Sequence, residues 1–254
     1  MGGSFQIANI SGFKILINWT WILIIAFITF VVGQDFQHLY PNWSTSTYYI
    51  DGFISGLLLF VTVLLHELGH SFTARARNLP VNSITLYFFG GVSNLTEEPK
   101  SPQTELLVAI AGPIVSLILA LIFYIIYLLT VPVWPSQVTA VIGYLALINV
   151  SLAVFNLIPA FPLDGGRVFR SIVWWVTGNK IRSTRVADGV THVFGWLFII
   201  AGLAEVFLTG SIISGVYLAF IGWFLMNAAS QTYKQTLLHH TLRGVDVQDA
   251  LSQP

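Results

Sequence analysis

Two histidines four residues apart, with a glutamate directly after the first, form the motif His66-Glu67-Leu68-Gly69-His70. On an α-helix that spacing projects both imidazoles from one face, where they can grip a single metal ion. Glu67 then stands beside the ion, within reach of a water that the metal activates, in the position of a general base. All three lie in a run that is otherwise mostly apolar, GLLLFVTVLLHELGHSFTARAR (56–77). A charged side chain in hydrocarbon costs roughly 2.5–3.5 kcal/mol on insertion scales, so such a cluster points to function. Random ordering of this composition would produce the motif in roughly three chains in a thousand. The alternative is an interfacial helix end carrying two hydrogen-bonded histidines, which leaves Glu67 between them without a cation nearby in sequence.

Two imidazoles leave zinc one protein ligand short, because catalytic zinc usually takes three and keeps the fourth position for water. The chain has no cysteine, so the third ligand must be His, Asp or Glu. The best candidate is Asp164 in NLIPAFPLDGGRVFR (156–170). Pro159 and Pro162 break the helix there, and Gly165 and Gly166 allow close backbone approach. An unwound segment at membrane depth is tolerated where it lines a cavity. One carboxylate and one hydroxide also neutralise Zn²⁺, the least costly state in a low dielectric. The alternative is a Pro-Gly turn whose aspartate caps a helix beginning near Arg167.

The elements that hold these groups are membrane spans. Of 254 residues, 55% are hydrophobic and 9% charged, with mean hydropathy +0.77. Soluble domains carry about 25% charged residues, so the chain reads as an integral membrane protein. Eleven Lys plus Arg balance eleven Asp plus Glu, leaving no electrostatic case for nucleic acid. Six apolar runs of about 20 residues can cross a bilayer: 15–32, 53–74, 105–130, 137–158, 189–208 and 211–229. The first is too long in its apolar stretch, and too poor in preceding cations, for a cleaved signal peptide. Six crossings put both termini on one side, together with all eleven cations, from Lys14 through Arg75, Arg77 and Arg167 to Lys234 and Arg243. The opposite loops, 33–52, 131–136 and 209–210, hold no Lys or Arg, which places both termini in the cytoplasm.

Between spans two and three, VNSITLYFFGGVSNL (81–95) alternates through Ile84, Leu86 and Phe88, and Gly90-Gly91 is a turn signal. The fold expected is therefore an all-α polytopic membrane protein of six transmembrane helices with one short membrane-associated β-hairpin. Gly112-Pro113 in the third span reads as a close helix approach or a kink rather than as chemistry.

HELGH at 66–70, FFGG at 88–91, AGP at 111–113 and NLIPAFPLDGGR at 156–167 together resemble the site-2 protease family of intramembrane zinc metalloproteases, peptidase family M50. The likeness spans most of the membrane core. It implies one zinc ion held by His66, His70 and Asp164, with Glu67 as catalytic base and Asn156 near the metal as a second catalytic residue. It also implies peptide-bond hydrolysis within or near the membrane segments of single-span proteins, in the cell membrane of a prokaryote. Substrate helices must unwind to be cut, and the hairpin's free edge offers them a strand to pair with. That makes Phe88, Phe89, Gly90 and Gly91 the substrate-binding candidates; a hairpin packed only against the core is the alternative. Residues 1–235 read as the protease core and 236–254 as a cytoplasmic tail. There LRGVDVQDALSQP (242–254) resembles the opening of a CBS domain, which one branch of the family carries as a C-terminal pair. Two other functions fit a His/His/Asp cluster: a metal transporter, which usually shows repeat-related halves absent here, and a non-cleaving protease relative, against which the complete catalytic set argues.

Overall fold

The apolar runs become helices, with boundaries set by local chemistry. The computed structural model describes residues 3–87, 90–95 and 97–242. Its helices are α1 (Trp21–Leu39), α2 (Thr45–Ala76), α3 (Pro102–Thr130), α4 (Ser136–Asn156), α5 (Asp164–Thr177), α6 (Lys180–Thr209) and α7 (Ile212–Leu242). All but α5 are long and apolar enough to cross a membrane. At 32 residues α2 extends about 48 Å, well beyond a hydrocarbon core of about 30 Å. It starts eight residues before the expected span because Ser44 caps it, accepting the Thr47 amide at 3.2 Å.

The expected hairpin is present as β3 (Val81–Tyr87) and β4 (Gly90–Leu95), but it is half of a larger sheet. Two N-terminal strands, β1 (Ser4–Ile10) and β2 (Phe13–Asn18), give a sheet of order β1-β2-β3-β4. The first span therefore begins at Trp21 rather than at 15. In FKILIN, Phe13 and Ile15 are buried and Lys14 is exposed, the alternation of a half-buried strand. β2 runs parallel to β3, pairing Lys14 with Ser83 and Ile17 with Leu86. Phe13, Ile15, Ile84 and Leu86 then bury together with Phe60 and Leu68 of α2. Gly90 and Gly91, expected as a turn, pair with Tyr87 and Leu86 and open β4 as strand residues.

The chain divides into two compact units. The first contains the sheet, α1, α2, α4 and α3 from Leu107 onward; the second contains Ser101–Leu106 and everything from Leu157. In the second unit α6 and α7 form an antiparallel pair with glycine seams. Gly195 faces Gly222 and Gly202 faces Gly215, and a Cβ on any of the four would meet the opposite glycine's carbonyl oxygen closer than contact distance allows. Small residues let membrane helices approach to backbone contact in this way.

Candidate metal centre

Helix α2 turns both motif histidines inward, and both are buried, 4% and 6% exposed. Their Nε2 atoms lie 3.1 Å apart. The Val108 carbonyl can only accept, so His70 Nδ1 carries the proton it donates there, at 2.7 Å. The same tautomer of His66 donates from Nδ1 to Ser116 Oγ at 2.9 Å. His70 Nε2 therefore presents a lone pair, and with His66 in the tautomer that donates to Ser116 both Nε2 atoms do, an arrangement suited to a shared cation. Two Zn–N bonds of about 2.0–2.1 Å at a tetrahedral angle would set the nitrogens about 3.3 Å apart, so this imidazole pair fits zinc.

The fit depends on α3. Val108, Gly112 and Ser116 recur every four residues, so they line one face of that helix. A Cβ at Gly112 would overlap Nε2 of both histidines. Glycine there is thus a requirement of the centre, not merely of helix approach. Val108, Gly112 and Ser116 are the functional positions that sequence reasoning missed. Beyond the AGP motif at 111–113, the signal was a glycine followed four residues later by a serine in an apolar span.

Glu67 is buried beside His66. Gly91 of β4 lies against its side chain, and a Cβ at that position would overlap Glu67 Cγ and Cδ. The strand and the expected base therefore meet without a side chain between them. Phe88 and Phe89 lie outside the described residues; Gly90 is the first residue of β4.

In the second unit, Asp164 is the first residue of α5 and Leu163 the N-cap, so the aspartate stands in the first turn and is not the cap. The preceding loop folds tightly on itself, with Ala160 N–H donating to Ile158 O at 2.7 Å and Leu163 N–H to Ala160 O at 3.0 Å. Side chains at Gly165 or Gly166 would collide with the backbone of residues 157–161. The Phe161 amide donates to Thr191 Oγ1 at 2.9 Å, fastening the loop to α6. Asn156 ends α4 in the first unit, with its Nδ2 donating to Leu152 O at 3.0 Å.

Residues 54–136 and 131–201 match the family model described as Peptidase family M50. The chain is 40% identical, over 99% of its length, to "Putative zinc metalloprotease sll0528" of Synechocystis sp., covering 65% of that protein. Against zinc metalloprotease MJ0392 of Methanocaldococcus jannaschii it is 28% identical over 99% of its length and 67% of the relative. Among solved structures, the site-2 protease from Methanocaldococcus jannaschii superposes with a TM-score of 0.57 at 31% identity, covering 90% of this chain and 94% of that one. The chain thus spans about two thirds of the length of these curated relatives.

Proposed function

Because the chain belongs to peptidase family M50, we propose that it is an intramembrane zinc metalloprotease that cuts single-span membrane proteins within or near their membrane segments. The carrying observation is the opposed pair of Nε2 atoms, each fixed by a hydrogen bond on its own Nδ1. In this reading His66 and His70, both buried, would hold one zinc ion per chain, with Asp164 as the third ligand. When bound, zinc supplies Lewis acidity, lowering the pKa of a water toward ~7 and polarising the scissile carbonyl.

Glu67 takes a proton from the attacking water onto a carboxylate oxygen and returns it to the leaving amine. The Val108 carbonyl keeps His70 in the tautomer that offers Nε2, and Ser116 Oγ accepts from His66 Nδ1 in the same tautomer. The Asn156 amide, once it leaves the Leu152 carbonyl, donates to the developing oxyanion. A substrate helix hides its peptide bonds in its own hydrogen-bond ladder, so it must unwind first. The edge of β4 then receives the unwound segment as an added strand, with Phe88, Phe89, Gly90 and Gly91 beside it. Gly91 against Glu67 supports this route, since the strand runs past the base with no side chain in between. The bilayer is a prokaryotic cell membrane, and both termini are cytoplasmic.

The test is cleavage of a panel of single-span substrates by wild-type protein, Glu67→Gln protein and chelator-treated protein. Only the untreated wild type should cut. Cleavage insensitive to chelator would overturn the assignment, as would zinc flux in proteoliposomes without any cleavage.

A further inference from the structure

We propose that Glu105 and Arg170 are positioning residues for Asp164, an inference that rests on the metal centre proposed above. All the groups involved belong to the second unit. Arg170, on α5, donates from Nε to Glu105 Oε1 at 2.7 Å, and its Nη2 donates to the same oxygen. Its guanidinium carbon also lies 5.3 Å from the centroid of the Phe161 ring, a cation–π contact. Phe161 sits in the loop that leads into Asp164, and its amide is held by Thr191. Arg170 therefore touches the loop at Phe161 while Glu105 fixes Arg170 to the first turn of α3.

The geometry is that of a rotational stop. Six residues separate Asp164 from Arg170, so at about 100° per residue they project from faces of α5 about 120° apart. Anchoring Arg170 sets the roll of the helix, and with it the direction of Asp164. The pair is a poor stabilising device: Glu105 is fully buried and its Oε2 has no hydrogen-bond partner among the described residues. Buried ion pairs of this kind often stabilise no more than apolar residues of the same volume. Glu105 also shares its face of α3 with Val108, Gly112 and Ser116, all four within an arc of about 80°.

The experiment measures zinc affinity of the full chain in detergent by chelator competition, with helicity and melting followed in parallel. Arg170→Lys keeps the charge but loses the fork, and it should weaken zinc binding by about 10–100-fold, as outer-shell changes do. In an Asp164→Asn background the same substitution should change affinity by less than about twofold, because its effect passes through the missing carboxylate. Phe161→Leu, which spares the ion pair, should show the same dependence on background and decides the matter if Arg170→Lys does not fold. Equal losses in both backgrounds, or full affinity in both variants, would overturn the inference while leaving the metal centre intact. Wild-type protein that binds no zinc would overturn both.

Discussion

A methyl group at Gly112 would occupy the space where the two imidazole nitrogens face each other. Gly112→Ala is accordingly expected to lower zinc affinity by more than about tenfold with helicity unchanged, as read by chelator competition and circular dichroism. Glu67→Gln should do the reverse, keeping zinc while cleavage falls by about 10²–10⁴-fold, the usual worth of a general base. Away from the membrane spans, Lys100 donates to Glu97 and lies 2.8 Å from it; first the hydrogen bond and then the charge hold that carboxyl below the usual glutamate range. The pair's contribution is thus present above the ordinary glutamate pKa and fades as pH falls through the depressed one. Lys100→Ala should raise the Glu97 midpoint in an NMR titration. Of these residues, His66, Glu67 and His70 could be read directly, since ionisable groups at helical spacing in hydrocarbon are too costly to keep without a use. Gly112 and Ser116 could not be, because small residues in a membrane helix also serve plain packing and only the facing imidazoles distinguish the two uses.

Individual elements carry their own constraints. β4 passes Glu67 at Gly91, so Gly91→Val should impair cleavage while zinc content stays near wild type; loss of zinc in proportion would show that the strand supports the metal and not the substrate. In α6 and α7 the facing glycines leave no volume for a side chain. Gly202→Leu forces the helices apart, and overpacking of this kind typically costs about 1–3 kcal/mol, visible as a lower melting midpoint. The long spans were legible from apolar length alone. β1 and β2 were not, because Ile15, Leu16 and Ile17 run on into the apolar stretch of α1 with only Asn18 and Thr20 as polar residues between. The opening of α2 at Thr45 was obscured for the opposite reason: its first turns, TSTYYID, are too polar to register as a span, and the Ser44 cap identifies them.

At the scale of the whole chain, every Lys and Arg falls on one predicted side. The absence of native cysteine makes that assignment easy to examine. With an impermeant thiol reagent, a single cysteine at Ser44 should be labelled in intact cells and one at Lys100 only after permeabilisation; labelling of both in intact cells would refute the six-crossing order. The sheet offers a separate constraint that owes nothing to charge. Residues 14–17 and 83–86 are neighbouring strands, yet α1 and α2 intervene between them. Strands hydrogen-bonded to each other must share a compartment, so the polypeptide has to return to the leaflet it left, and the number of passages between the two strands is even. During synthesis this sheet can close only after both intervening segments have been threaded, which makes its completion a built-in record that the first pair of insertions ran in the right sense.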